Sequence, residues 1–161
     1  MERQSDLSVS TQAAMEKEEL FLASCKQGDY TQFYKLYRSG VDVNMRAGEA
    51  LREAITNSHV MIWTLLLDCP AINLQLKDEN GRTALHVACW YNKETAVAKL
   101  ISTSGVSGIN EKDLHGNTPI MMAAKYASKE NIQIKKKSFK SKQFLLVGER
   151  DTVIVIFEYF C

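Results

Sequence analysis

The chain has 161 residues, of which 45% are apolar and 24% charged, a composition typical of a soluble globular protein with a modest core. Its net charge of +1 gives no overall attraction to nucleic acid or to acidic partners. A membrane-spanning helix needs about 20 consecutive apolar residues, and the nearest candidate, residues 144–160, is interrupted by Gly148-Glu149-Arg150-Asp151. The sequence therefore predicts no membrane span.

The amino-terminal segment, residues 1–15, mixes charged residues with serines and lacks the apolar core of a signal peptide. We expect this segment to be disordered and the protein to lie in the cytoplasm or the nucleus, where cysteines stay reduced. The four cysteines form no CxxC pair, and the three histidines are not spaced with them as zinc ligands are. The sequence thus predicts neither a metal site nor a cofactor.

An internal repeat is clearest in two segments that begin at Asp78 and Asp113, 35 residues apart. This one offset aligns five pairs of residues: Asp78 with Asp113, Gly81 with Gly116, Thr83 with Thr118, Ala88 with Ala123, and Val97 with Ile132.

Each unit of this repeat predicts a tight turn followed by two short helices. The glycine of Asp-x-x-Gly can take the positive φ that a tight turn requires, and the threonine is placed to cap the next helix. Apolar residues at i, i+3 and i+4 then predict one buried stripe on each helix. In the clearest copy these stripes are Leu85, Ala88 and Cys89, then Val97, Leu100 and Ile101.

Two weaker copies precede this pair. The first repeats the apolar spacing from Phe21 to Tyr37, and the second repeats it from Leu51 to Leu67. The link between them, Asn44 to Leu51, is too short for a full hairpin-type loop. We therefore divide residues 16–132 into units at 16–44, 45–76, 77–111 and 112–132, with turns between paired helices near Gly28, Ser58, Asn92 and Ala127.

The unit resembles the ankyrin repeat, whose TPLH-like tetrapeptide is matched by TALH (Thr83 to His86) and TPIM (Thr118 to Met121). The resemblance implies an all-α solenoid of helix-turn-helix units with short hairpin-type loops, about three full repeats and a truncated fourth. It also implies an intracellular scaffold that binds a protein partner, of unknown identity, and no small-molecule substrate.

In ankyrin proteins, partners contact the loop tips, called fingers, and the exposed end of the first helix along the concave face. Aromatic residues flanked by cationic ones have the composition of a binding hot spot. The sequence leaves open that the aromatics are instead half-buried against the neighbouring helix. The candidate partner-binding residues are Trp90, Tyr91, Arg82, Lys125, Tyr126, Asn80 and His115.

His86 has two interpretations, a catalytic base or a structural residue at a helix start. The sequence favours a bond to Thr83 or to a neighbouring turn, because no serine, cysteine or carboxylate recurs beside it. Cys25 and Cys89 occupy equivalent helix positions and are expected to be buried packing residues. With no nucleophile–base pair, metal cluster or phosphate loop, we expect the protein not to be an enzyme.

The tail, residues 133–161, departs from the repeat. Lys135 and Lys136 stand where the third copy has Leu100 and Ile101, so the last helix loses its buried face. The lysine-rich stretch contains one aromatic residue, too few for a platform that stacks nucleic-acid bases, and residues 144–160 favour a β-hairpin. We expect the tail to be less ordered than the repeats, and its removal to leave the first three repeats folded.

Two functions therefore remain open at this stage. The first is a non-enzymatic module that binds a partner protein through the concave face and fingers. The second is a truncated or alternative-terminus form of a larger ankyrin-repeat protein, with a regulatory function or no binding function.

Overall fold

The computed structural model describes the backbone of residues 3–104, 108–129, 133–139, 142–148 and 154–159, and the side chains of residues 11–104 and 108–125. The chain divides into two compact units, Met1–Ile72 and Asn73–Cys161. The first unit contains α1 (Arg3–Gln27), α2 (Tyr30–Arg38), α3 (Met45–Thr56) and α4 (Val60–Leu67). The second contains α5 (Ala84–Trp90), α6 (Glu94–Ser104), α7 (Pro119–Lys129), β1 (Gln133–Phe139), β2 (Lys142–Gly148) and β3 (Ile154–Tyr159).

Consecutive helices pack in pairs, α1 with α2, α3 with α4, and α5 with α6. The first helices of successive copies also lie side by side, since α1 packs on α3 and α5 packs on α7. This arrangement confirms the helix-turn-helix fold that the repeat predicts.

The apolar stripes form the core of each unit. In the first unit Phe21, Phe33 and Ile55 are fully buried, and the rings of Phe21 and Phe33 stack with centroids 5.2 Å apart. In the second unit Ala88 and Leu100 are buried in the same way. Burying a large apolar side chain contributes roughly 1.5–3 kcal/mol, so these stripes hold the helix pairs together.

The turns between paired helices use one left-handed residue each. Gly28, Ser58 and Asn92 have φ of 79°, 62° and 51°. In each case the backbone N–H of the next residue reaches back five positions to a helix carbonyl, at 2.8 to 3.1 Å, which closes the helix end. The predicted turns at these three positions are confirmed.

The turn predicted at Ala127 is wrong, because α7 continues to Lys129. Ala127 stands 35 positions after Asn92, where the other copies turn. Asparagine and glycine accept the left-handed conformation, whereas alanine pays a steric cost there and favours a helix.

The first helix is longer than the sequence suggests. Disorder is expected over residues 1–15, but α1 begins at Arg3. No proline or glycine interrupts residues 3–27, and this segment is rich in good helix formers. Side chains from Thr11 to Glu16 are exposed, so this part of α1 extends the helix without adding to the core.

The link between the first and second copies, which is too short for a hairpin-type loop, forms a left-handed turn. Arg46, Ala47 and Gly48 have φ of 45°, 55° and 76°. The Arg52 side chain, buried beneath them, donates from Nη1 to the Ala47 carbonyl at 2.6 Å. The short link is thus closed by an internal hydrogen bond.

The tail strands form an antiparallel sheet in the order β1-β2-β3, with Leu145 opposite both Lys136 and Ile156. The β2–β3 pair agrees with the predicted hairpin, whereas the pairing of the lysine-rich strand β1 was not predicted. The backbones of β1 and β2 lie beside α7. The expectation of weak order falls partly on residues outside the described part of the chain and stays a prediction.

None of the described helices is both long and apolar enough to cross a membrane.

Two tight loops of the second unit are called the third finger (residues 78–81) and the fourth finger (residues 113–116). Each closes through its glycine, whose N–H donates to the carbonyl of the aspartate three residues earlier. Gly81 and Gly116 have φ of 75° and 76°. The Leu114 N–H donates to the Asn80 carbonyl at 2.9 Å, so the fourth finger docks on the third.

Replacing each finger glycine by alanine separates turn strain from docking. A Cβ at Gly81 would lie 2.8 Å from the Leu114 nitrogen, whereas a Cβ at Gly116 meets no atom of the described part of the chain within 4 Å. Both variants carry left-handed strain of about 1–2 kcal/mol, and Gly81→Ala adds an overpacking cost of about 1–3 kcal/mol. Urea unfolding should therefore show Gly81→Ala as the less stable variant. Equal losses of unfolding free energy would contradict finger docking.

Candidate functional site

The Asp78 carboxylate stabilises the third finger by accepting hydrogen bonds from the finger backbone and from Arg82. Asp78 Oδ1 accepts from the backbone N–H groups of Asn80 and Arg82 at 2.9 and 2.8 Å. Its Oδ2 accepts from Arg82 Nε at 2.8 Å and forms a 2.7 Å ion pair with Nη2. Burial alone would raise the pKa of Asp78, but the Arg82 bonds and charge outweigh it, so this pKa lies below its usual value.

The fourth finger is built in the same way. Asp113 Oδ1 accepts from the N–H groups of His115 and Asn117 at 2.9 and 2.7 Å, and the Asn117 amide adds bonds to the carboxylate. Burial opposes ionisation, yet these hydrogen bonds prevail and lower the pKa of Asp113. Lys125 Nζ donates to Asn117 Oδ1 at 2.7 Å, which ties α7 to the finger. Both fingers therefore present their tips from a fixed backbone.

His86 joins the third copy to the fourth. It is fully buried. The Thr83 backbone N–H donates to Nδ1 at 3.2 Å, and the Thr83 hydroxyl lies 2.9 Å from the same nitrogen. On the other side of the ring, Nε2 lies 3.1 Å from the Asn117 carbonyl. The sequence prediction of a structural histidine bound to Thr83 or a neighbouring turn is confirmed on both sides.

These partners fix the proton on one ring nitrogen. A carbonyl can only accept, so Nε2 carries the hydrogen, and the Thr83 N–H can only donate, so Nδ1 accepts. Burial is the largest influence and lowers the pKa of His86, against the raising effects of the Asn117 carbonyl and the Asp113 carboxylate. The His86 ring is therefore uncharged in the folded protein, and its two nitrogens link the third copy to the fourth.

The candidate aromatic residues lie at the end of α5. Tyr91 is 45% exposed, whereas Trp90 is half-buried. The sequence left open whether these two side chains are exposed or half-buried, and the structure shows one of each. Lys125 occupies the position on α7 equivalent to Trp90 on α5, and these helices pack side by side.

The remaining candidates differ in their exposure and in the bonds that their side chains already form within the protein. Asn80 and His115 are exposed at the finger tips. Arg82 is half-buried and bound to Asp78, so its guanidinium stabilises the finger. Tyr126 belongs to α7, and its side chain lies outside the described residues.

Leu114 is absent from the candidate set, although it is the most exposed large apolar side chain that the structure describes, at 74%. The sequence does place Leu114 on the fourth finger, directly after the aspartate of the Asp-x-x-Gly loop, where a side chain projects from the tip.

The cysteines expected to be packing residues are buried. Burial raises the pKa of both Cys25 and Cys89 to about 12, although the Ser24 side chain partly offsets it at Cys25. A thiol with so high a pKa forms almost no thiolate near neutral pH and is a poor nucleophile. Among the described side chains, no group of three or more His, Cys, Asp or Glu residues is placed to hold a metal ion.

The buried neutral ring of His86 predicts a loss of stability in mild acid. Because the folded-state pKa lies below the unfolded value of about 6.5, the unfolded chain binds the proton first as the pH falls. The free energy of unfolding should therefore decrease as the pH drops below about 6.5.

The matched variant is His86→Gln, because a glutamine amide can accept from Thr83 and donate to Asn117 without titrating. Urea unfolding of both proteins at a series of pH values checks the expectation. The wild-type chain should lose more stability than the variant in this range, and parallel curves would contradict a buried neutral histidine.

The comparisons with known proteins agree with this architecture. A family model described as ankyrin repeats (3 copies) matches residues 20–110, more than half of the chain. This match spans nearly all of the first three units that the sequence defines, residues 16–111, and stops before the fourth. No curated protein matches the chain. The fold, the finger geometry and the family match together show that the chain belongs to the ankyrin repeat family.

Proposed function

We propose that the protein is a non-enzymatic module that binds a partner protein through the finger tips and the adjacent end of α5. Ankyrin repeats are in general protein–protein interaction modules. We call this region the finger–helix surface and define it as Asn80, Arg82, Trp90, Tyr91, Leu114, His115, Lys125 and Tyr126.

The observation that carries the proposal is the exposure of two large apolar side chains on rigid supports. Tyr91 follows α5 directly, and Leu114 projects from the fourth finger. The backbone under Leu114 is fixed by the Asp113 hydrogen bonds and by the bond to the Asn80 carbonyl. A partner that buries such preorganised side chains loses little conformational entropy.

Polar groups surround these apolar side chains, as the rim of a binding surface requires. Lys125 and His115 can offer donors to a partner, and the Asn80 side chain can offer both a donor and an acceptor. Trp90, half-buried beside Tyr91, can support the exposed ring and contribute its own edge to a contact.

Quantitative affinity capture from cell extract tests this proposal with the Trp90→Ala, Tyr91→Ala double variant. Proteins that bind the finger–helix surface should be retained by the wild-type chain and lost with the double variant. For an identified partner, calorimetry should show that Trp90→Ala weakens binding by about 2 kcal/mol or more, roughly thirtyfold.

The matched control is Tyr34→Ala, because Tyr34 on α2 is 41% exposed, close to the value for Tyr91, and lies outside the finger–helix surface. Circular dichroism should report unchanged helix content in all variants. If the Tyr34 variant lost the same proteins, or if the double variant retained them all, binding would not occur at this surface.

A further inference from the structure

The repeat allows the same position to be compared in two copies. His86 is fully buried because its ring reaches the fourth copy, whereas Met121, 35 positions later, is 49% exposed. The Met121 N–H faces the Thr118 hydroxyl at 3.5 Å, so both residues begin their helices in the same way. Met121 therefore marks the side of the fourth copy that corresponds to the contact side of the third.

Two more features of the junction between the third and fourth copies have equivalents in the fourth copy. Gly81 is covered by Leu114 of the next finger, whereas no atom of the described residues lies within 4 Å of a Cβ built at Gly116. Lys77 Nζ donates to the Lys112 carbonyl of the next copy at 3.2 Å, and Lys112, the lysine equivalent to Lys77, is exposed. The fourth copy thus carries an apolar, glycine-backed face with a lysine at its border, which we call the Met121 face.

The first copy exposes a helix position that is buried in the third copy. Leu20 on α1 lies 64 positions before Ala84 and is 51% exposed, whereas Ala84 is 4% exposed. Ala23 is half-buried, whereas its equivalent Val87 is buried. Residues on one helical stripe recur every three or four positions, so these residues share a stripe with Glu16. We call Glu16, Leu20 and Ala23 the Leu20 face.

The two faces have complementary chemistry. Each offers one exposed large apolar side chain, Met121 or Leu20. The Met121 face has Lys112 at its border, and the Leu20 face has the exposed carboxylate of Glu16. Opposite charges around an apolar contact select the partner and its orientation.

We propose that the Met121 face of one chain docks on the Leu20 face of a second copy of the same chain. The contact continues between molecules the kind of junction that the third and fourth copies make within one. Because the two faces differ, the association is head-to-tail, and each chain has one face left for a further copy. This inference is independent of the proposed partner binding.

Sedimentation velocity of the full chain over roughly a hundredfold range of concentration tests the proposal. The wild-type protein should pass from an 18.2 kDa monomer to dimers and larger species. Met121→Glu and Leu20→Glu should each weaken association by tenfold or more. An equimolar mixture of these two variants retains one intact Met121 face and one intact Leu20 face, so it should form a dimer and nothing larger.

The matched control is Met61→Glu, because Met61 on α4 is 66% exposed and belongs to neither face. It should assemble like the wild-type chain. A second pair leaves the apolar residues unchanged: Lys112→Glu and Glu16→Lys should each weaken association, and their mixture should restore assembly, because opposite charges then meet at both kinds of mixed contact. A wild-type chain that stays monomeric, single variants that assemble normally, or a mixture that remains monomeric would each overturn the proposal.

Discussion

The hydrogen bond from His86 Nε2 to the Asn117 carbonyl is the contact on which the second unit depends. The same ring caps α5 through Thr83, so one side chain fixes both the start of a helix and the position of the next copy. It can do so because the buried ring is neutral and offers one donor and one acceptor in opposite directions. Any change that protonates or removes it loosens both connections at once.

This rigid junction explains how the proposed binding could depend on a few exposed side chains. The fingers are held by carboxylate-to-backbone bonds at Asp78 and Asp113, and their tips therefore stand at fixed positions. Tyr91 and Leu114 can then vary in identity without altering the fold, since their surroundings are set by other residues. In the proposed function, the fold supplies the support and the surface side chains supply the specificity.

Repeat spacing and capping residues predict most of the ankyrin fold, because each copy reuses the same local chemistry. The turns at Gly28 and Asn92 follow from left-handed tolerance, and the turn at Ser58 follows from its place in the repeat. Applying the family pattern at Ala127 fails, because alanine favours continuing the helix. Exposure is harder to predict, since sequence spacing does not determine that Trp90 is half-buried whereas Tyr91, the next residue, is exposed.

The most direct test of the central claim is nitrogen-15 NMR of the His86 ring at neutral pH. The structure predicts a single tautomer with the proton on Nε2, an unprotonated Nδ1, and an Nε2–H that exchanges slowly with solvent because it is bound to the Asn117 carbonyl. A proton on Nδ1, or averaging between both nitrogens, would contradict the proposed junction between the third and fourth copies.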